Sequence, residues 1–149
     1  MLELNLPPAN LRIKKQKNDF VVFDVFRRRY VKLTPEEWVR QHFLHYLIDE
    51  KSFPAAWLAV ESELIVNDMK KRFDALFYNK HARPHILIEF KAPNIPISQD
   101  VIDQISVYNT SLEIENFIIS NGLEHFFCKL DRDSLKYIIS SGIPDYNEI

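Results

Sequence analysis

The stretch RFDALFYNKHARPHILIEFK, residues 72–91, decides the fold of this 149-residue chain. Two runs of aromatic and branched residues, 73–78 and 85–90, flank a polar connection, and this pattern predicts two paired antiparallel strands. Because residues 86–88 are apolar on both faces of the second strand, we expect the sheet to be covered on both sides. The charged residues within and after these runs are therefore the feature that needs an explanation.

Three charged residues are expected to converge at one end of this sheet. Successive side chains of a strand alternate between faces, so Glu89 and Lys91 share one face and Phe90 takes the other. Antiparallel pairing places Asp74 opposite them. A charge at the end of a buried strand is costly unless it is paired or bound to a metal. Two interpretations stay open: a structural ion-pair cluster, or a Mg²⁺ site made of the two carboxylates and the Phe90 carbonyl, with Lys91 orienting a water.

The composition is that of a folded single domain. The chain is 46% hydrophobic, with 11 Phe, 6 Tyr and 2 Trp, and its length suits one core. The presence of only two glycines argues against a phosphate-cradling loop, and the single Cys128 fits a reducing compartment. No apolar run approaches a membrane span and no signal-peptide pattern begins the chain, so we expect a cytoplasmic protein without a membrane partner. We divide the domain into an N-terminal extension (1–33), a core (34–130) and a tail (131–149).

The charge is distributed unevenly along the chain. Residues 1–91 contain 16 Lys and Arg against 12 Asp and Glu, whereas residues 92–149 contain 3 against 9. Basic clusters occur at 12–17, 27–29 and 70–72. Such clusters either meet phosphate groups of a partner or form ordinary solvated loops and strand edges.

The N-terminal extension is predicted to contain short strands after a loosely packed lead-in. Residues 1–10 include two consecutive prolines that force an extended backbone, and we expect this segment to be flexible. Residues 11–17 and 20–26 alternate well enough for a hairpin around the two-residue loop 18–19. Residues 30–33 suggest a further strand.

A helix is predicted to follow from Thr34 to about Lys51. Thr34 is the expected N-cap, Pro35 occupies the first helical position, and Glu37 completes a capping box. The apolar stripe of this helix continues back towards Glu37. Glu37 is therefore either a cap residue alone or an acid aimed along the edge of the core towards a site.

The strand that follows, residues 57–66, completes a three-strand antiparallel meander with the two runs around the charged cluster. Its alternation places Glu61 and Glu63 on a solvated face. A second helix over residues 99–112, capped by Ser98, is predicted next. Gln104 and Tyr108 are expected on its buried face, either reaching the charged site or serving only to pack.

The end of the chain is predicted to extend the sheet. Residues 116–120 are apolar throughout, which suits a strand that pairs in parallel after a helical crossover. A tight turn at residues 121–122 leads into a strand over 123–130. One short helix or strand around 135–139 and a frayed end complete the expected fold.

The order of these elements and motifs resembles the PD-(D/E)xK restriction-endonuclease-like superfamily. The segments TPEEWVRQ, VE, RFDALFY, LIEFKAP, Gln-x-x-x-Tyr and SNG together look like the N-terminal nuclease domain of type I restriction enzyme R subunits. The resemblance runs from about Leu33 to Leu130. It implies an α/β fold with a central mixed sheet flanked by helices. The translocase that R subunits fuse to this domain is not expected in this chain, since nothing in it resembles a P-loop.

The resemblance also implies functional residues. Asp74 and Glu89 match the two metal-binding acids, Lys91 matches the lysine that positions the attacking water, and Gln104 and Tyr108 match the Gln-x-x-x-Tyr element. Glu37 matches an acid that some members of the superfamily carry on a helix and use to hold metal-bound water. Phe73 stands where the signature has proline, a position that is tolerant in the superfamily.

The function implied is Mg²⁺-dependent hydrolysis of DNA phosphodiester bonds, with Mn²⁺ as a possible substitute. Restriction-system subunits and a second copy of the chain are possible partners. The alternative is a non-catalytic or partner-activated DNA-binding module with the same fold.

Overall fold

The computed structural model describes the backbone of all 149 residues and every side chain except that of Val66. This described part forms two α-helices, nine strands and two short 3-10 turns, at Ala55–Trp57 and Tyr146–Glu148. The elements are β1 (Ile13–Gln16), β2 (Asp19–Asp24), β3 (Arg29–Lys32), α1 (Pro35–Glu50), β4 (Leu58–Val66), β5 (Met69–Tyr78), β6 (Pro84–Phe90), α2 (Gln99–Ser111), β7 (Asn116–Ser120), β8 (His125–Asp131) and β9 (Lys136–Ser140). Neither helix in this described part is both long and apolar enough to cross a membrane.

The strands form a six-stranded sheet in the order β4-β5-β6-β7-β8-β9 and a separate three-stranded sheet in the order β1-β2-β3. All neighbours are antiparallel except β6 and β7, which are parallel because α2 carries the chain back between them. The predicted α/β architecture, with its meander and crossover strand, is confirmed. The first hairpin loop is shifted by one residue, because Asp19 pairs with Gln16 and Lys17 turns the chain with a left-handed φ of 56°.

Two hydrophobic cores lie on opposite faces of the large sheet. On one face, Phe43 and Leu47 of α1 pack against Ile86 and Ile88 of β6. On the other face, Leu87 of β6 belongs to the core beneath α2. The alternation along β6 therefore serves both cores, and the prediction of a strand covered on both sides is confirmed. Each large side chain that is fully buried here contributes roughly 1.5–3 kcal/mol to folding.

The lead-in over residues 1–10 lies against the domain with partly buried side chains, which agrees with the prediction of loose packing rather than with that of a flexible segment. Leu4 and Leu6 contact the core beneath α1. The indole Nε1 of Trp38 donates to the Leu2 carbonyl (2.9 Å), and the Asn5 N–H donates to the Gly122 carbonyl (2.8 Å). Apolar side chains that alternate with polar ones give even this proline-containing segment a buried face.

The C-terminal end is also packed, and the prediction of fraying is wrong. Ile143 is buried, and Tyr146 and Ile149 pack against the same core. The Tyr146 N–H donates to the Lys51 carbonyl at the end of α1 (2.8 Å). The short element predicted around 135–139, a helix or a strand, is the strand β9, which pairs with β8.

Candidate active site

The site lies where β6 leaves β5. These two strands are paired no further than Ala75 and Ile88. Strand β6 stays paired with β7 beyond that point, through Phe90 and Ser120, and the Lys91 N–H donates to the Ser120 carbonyl (2.9 Å). The backbone of β6 therefore keeps one neighbour and loses the other just where Glu89, Phe90 and Lys91 occur.

Asp74 occupies the gap between the two strands. Its Oδ2 accepts a hydrogen bond from the Phe90 N–H (2.8 Å), a donor that would otherwise lack a partner at the end of the ladder. The Asp74 side chain is 23% exposed, so it reaches the surface while remaining fixed at the end of β6.

A kink in β4 and β5 allows Asp74 to take this position. The register pairs Val60 with Ala75 and Ser62 with Phe73 but omits the pair between them, Glu61 and Asp74. Glu61 has a left-handed φ of 50°. In β5, Phe73 packs in the core beneath α2 whereas Ala75 packs beneath α1, although period-two alternation would put both on one face. The change of face puts Asp74 within reach of side chains from both layers.

Glu89 lies close enough to Asp74 for the negative charge of Asp74 to act on the Glu89 carboxyl group. Burial contributes most to raising the pKa of Glu89, the negative charge and hydrogen bond of Asp74 raise it as well, and Lys71 and Lys91 only partly oppose them, so that the pKa lies at about 8. Near neutral pH, one of two neighbouring carboxyl groups is thus kept protonated. This is the response expected of a carboxyl group that is buried next to a second acid.

Two lysines flank the carboxyl pair. The charge of Lys91 acts on both Glu89 and Glu36. Lys71, on β5, also acts on Glu89, and burial lowers the pKa of its ammonium to about 8. The sequence alone shows Lys71 only as part of the basic cluster at residues 70–72. Its position here depends on the kink, because strict alternation would put it on the face opposite Asp74.

Tyr108 contacts this group through Lys71, but Gln104 does not face a buried core. The Lys71 ammonium lies 2.7 Å from the centroid of the Tyr108 ring. Tyr108 is 44% exposed and Gln104 is exposed. The prediction that both lie on the buried face of α2 is therefore wrong. The buried face is centred between Ile105 and Asn109, which leaves Gln104 and Tyr108 on one flank of the helix.

Glu37 is held in a buried ion-pair network and does not complete the predicted capping box. One half of the box is present, because Thr34 Oγ1 accepts from the Glu37 N–H (3.0 Å). The Glu37 carboxylate instead binds Arg27 (2.7 Å), Arg40 (2.9 Å) and Gln41 (3.0 Å). Two arginines desolvated beside it offer stronger charge-assisted bonds than a backbone N–H at the helix start.

Arg40 connects this network to Asp74. Its Nη2 lies 3.4 Å from Asp74 Oδ1, and its Nη1 lies 3.2 Å from Glu61 Oε1. Glu61 also pairs with Arg27 (3.1 Å), but its side chain stays 38% exposed, so the prediction of a solvated Glu61 is confirmed and the ion pairs are what the sequence does not show. Glu63 is exposed as predicted. Glu37 thus reaches Asp74 only through Arg40.

Glu36 of α1 lies near the carboxyl pair, because it pairs with Arg40 (3.7 Å) and the charges of Asp74 and Lys91 act on it. Burial raises the pKa of Glu36, the negative charge of Asp74 raises it as well, and the positive charges of Arg40 and Lys91 oppose both. The sequence makes Glu37, rather than Glu36, the candidate for an acid that points towards the site, because Glu37 continues the apolar stripe of the helix. Two consecutive acids in a first turn point about 100° apart, and only the docking of the helix shows which one faces the sheet.

The donor groups fit a hard divalent cation. Two adjacent carboxyl groups, one of them kept protonated by the other, form an oxygen-rich position that such a cation would neutralise. Among the described residues, no three His, Cys, Asp or Glu side chains come together as a complete metal site. Mg²⁺ suits such an incomplete set, because it usually keeps several waters and takes only one or two protein carboxylates.

Comparison with known proteins adds one match. The family described as "Type I restriction enzyme R protein N terminus (HSDR_N)" matches residues 35–144. The matched segment runs from α1 to beyond β9 and includes the whole carboxylate and lysine cluster, whereas the three-stranded sheet of residues 13–32 lies outside it. A search of curated proteins found no match to the chain.

Proposed function

The chain belongs to the family of type I restriction enzyme R protein N-terminal domains, and on this basis we propose that it is a Mg²⁺-dependent nuclease that hydrolyses DNA phosphodiester bonds in the cytoplasm. Membership of the family indicates a role in a restriction system. We propose further that the sheet and its two helices are a restriction-endonuclease-like core. The observation that supports the proposal best is the meeting of Asp74, Glu89 and Lys91 where β6 separates from β5.

The metal would be held by Asp74, Glu89 and the Phe90 carbonyl, with Mn²⁺ able to replace Mg²⁺. A bound divalent cation supplies a Lewis acid for the scissile phosphate and lowers the pKa of a water molecule. Glu89 must give up its proton for this role, and the nearby charges of Lys71 and Lys91 favour that loss. Asp74 is already oriented by the Phe90 N–H, so its carboxylate needs little reorganisation.

Lys91 is proposed to orient the attacking water and to stabilise charge that develops on the phosphate. Its backbone is fixed by the hydrogen bond to Ser120, and its ammonium acts on carboxyl groups from both β6 and α1. A cation held in place before the reaction stabilises developing negative charge without reorganisation. Tyr108 and Glu36 border the site and would position groups around it, Tyr108 through Lys71.

The proposal is tested with purified protein on plasmid and linear DNA in Mg²⁺, Mn²⁺ or EDTA. Asp74→Ala, Glu89→Ala and Lys91→Ala should each abolish cutting while the folded state persists. Lys80→Ala serves as the matched control, because Lys80 is exposed in the connection at the other end of β5 and β6. Cutting by Lys91→Ala at the wild-type rate would refute the assignment of this site.

A second candidate function is a binding module that is non-catalytic or activated by a partner. It is favoured by the present engagement of both Asp74 oxygens, one by the Phe90 N–H and the other by Arg40. A partner subunit, or pairing of two copies, would then have to release Arg40 before a cation could bind. DNA binding without cutting in Mg²⁺, followed by cutting when restriction-system subunits are added, would select the partner-activated form.

A further inference from the structure

The three-stranded sheet is strongly basic in an otherwise acidic chain. Residues 11–33 contain eight Lys and Arg and only two acids, although the whole chain carries a net charge of −2. One of the two acids, Asp24, is fully buried and bound to Arg27, so it does little to offset the charge at the surface. We call this sheet, residues 13–32 with the preceding Arg12, the basic arm.

One face of the basic arm combines exposed cations with aromatic rings. The register of β1, β2 and β3 puts Lys14 and Lys32 on either side of Val21, and Phe23 opposite Tyr30. The Arg12 guanidinium lies 5.1 Å from the centre of the Phe23 ring, and the Lys14 ammonium lies 4.0 Å from that of Tyr30. Cations held over ring faces keep their full charge and stay available to an anion.

These cations are almost free of internal acidic partners. Lys32 pairs with Asp19 at 3.7 Å, but both side chains are more than 60% exposed, and such a pair contributes little. Among the side chains that the structure describes, this is the single ion pair formed by Arg12, Lys14 or Lys32. The face therefore presents three uncompensated or weakly compensated charges, a pattern suited to a row of phosphates.

The basic arm is fixed rigidly beside the candidate active site. Arg27, in the β2–β3 connection, binds Glu37 of α1 and Glu61 of β4, and Arg40 extends the same network to Asp74. A groove of about 640 Å³ lies between the arm and α1. Its walls include Tyr30 and Lys32 on one side and Glu36 and Ala92, next to Lys91, on the other.

We propose that the basic arm binds the phosphodiester backbone of duplex DNA and leads it along this groove to the candidate active site. The inference deepens the proposed function and rests on it for the identity of the substrate. We expect the arm to bind phosphates and to read no sequence. Its exposed groups are ammonium and guanidinium cations, and the aromatic rings beside them are already covered by these cations. The competing occupant is the acidic segment 92–149 of a second copy, which also complements the arm in charge.

The test is fluorescence anisotropy with a labelled duplex in EDTA, over a series of salt concentrations. The arm variant of the full chain combines Arg12→Gln, Lys14→Gln and Lys32→Gln. The control variant removes the same charge from exposed lysines elsewhere, by Lys80→Gln, Lys129→Gln and Lys136→Gln. Both variants are checked by circular dichroism, and the single substitution Lys14→Glu provides a milder test that leaves the rest of the arm intact.

The arm variant should bind about tenfold more weakly or worse at low salt, and its salt slope should fall by roughly two to three, since each phosphate contact contributes about 0.9. Lys14→Glu should weaken binding in the same direction, and the control variant should bind like the wild type. Equal weakening by both triple variants, unchanged binding by the arm variant, or no binding by the wild type would overturn the proposal. So would an arm variant that changes sedimentation from dimer to monomer without changing DNA affinity.

The same assay separates this inference from the proposed hydrolysis. EDTA prevents metal-dependent cutting, so binding is measured separately from hydrolysis. Arm-dependent binding in EDTA by a protein that does not cut DNA in Mg²⁺ or Mn²⁺ would support the arm and refute the hydrolysis. Cutting that survives in an arm variant with unchanged affinity would refute the arm alone.

Discussion

Glu89→Gln should stabilise the protein when no divalent cation is present. The carboxyl group of Glu89 has an ordinary pKa of 4.5, which the folded state raises to about 8. The folded protein therefore binds more protons at this position than the unfolded chain between these two pH values, and the free energy of unfolding falls as pH rises through that window. Glutamine keeps the shape and the hydrogen-bond donor but cannot ionise.

The size of the effect follows from the same shift. At about pH 7, Glu89→Gln should be more stable than the wild type by roughly 3 kcal/mol. This pH lies about two and a half units above the ordinary pKa of the carboxyl group, and each unit corresponds to about 1.4 kcal/mol. The advantage of Glu89→Gln should vanish near pH 4.5 and level off above pH 8, at no more than about 5 kcal/mol.

The measurement is urea denaturation of wild type and Glu89→Gln in EDTA across this pH range. Glu63→Gln is the control, because Glu63 is an exposed acid on β4 and should show no such gain. Adding Mg²⁺ should stabilise the wild type and leave the glutamine variant nearly unchanged, since a bound ligand stabilises only the form that binds it. A Glu89→Gln protein no more stable than wild type at pH 8 would refute the argument that burial beside Asp74 raises the pKa of Glu89.

Three further outcomes follow from other parts of the fold. Arg40→Met should lower the free energy of unfolding by about 1.5–3 kcal/mol in urea, because the buried Glu37 loses one of its two arginines and Asp74 loses its arginine. Arg28→Met, at an exposed position, should change it by less than about 0.5 kcal/mol; equal effects would contradict the network. Cys128 is fully buried, and burial raises the pKa of its thiol to about 12. A thiol reagent at pH 8 should therefore leave the native protein unmodified and label one thiol per chain in guanidinium, and rapid native labelling would show that the core opens. Phe77→Ala should cost about 3–5 kcal/mol, measured by thermal denaturation, because it empties the core between α1 and the sheet.

The network around Arg40 gives the site a feature that bears on its activation. Arg40 and a divalent cation would compete for Asp74, since both offer positive charge to the same carboxylate. Arg27 shares two of the acids that hold Arg40, so movement of the basic arm would be transmitted to Asp74. DNA bound by the arm is thus placed to influence the carboxylate that the proposed hydrolysis needs.

Local sequence determined the elements and most of their order. Thr34 and Ser98 cap the two helices because their side-chain oxygens accept a backbone N–H that the first helical turn leaves free. Period-two alternation and turn residues defined the meander, and the segment 116–120, apolar at its three central residues, indicated parallel pairing after a crossover. Strand pairing and alternation predict that Asp74, Glu89 and Lys91 lie at the same end of the sheet, and the kink then sets the final position of Asp74.

Tertiary structure decided everything that depends on how these elements meet. The kink at Glu61 and Asp74 reverses the faces of two strands, which brings Lys71 to the site and joins the exposed Glu61 to an ion-pair network that alternation does not predict. The docking angle of α1 turns Glu36 towards the carboxyl pair, and the rotation of α2 leaves Gln104 exposed. Periodicity fixes only relative directions along one element. The absolute direction of a side chain, and hence the charges that surround it, is set by long-range packing against the other elements.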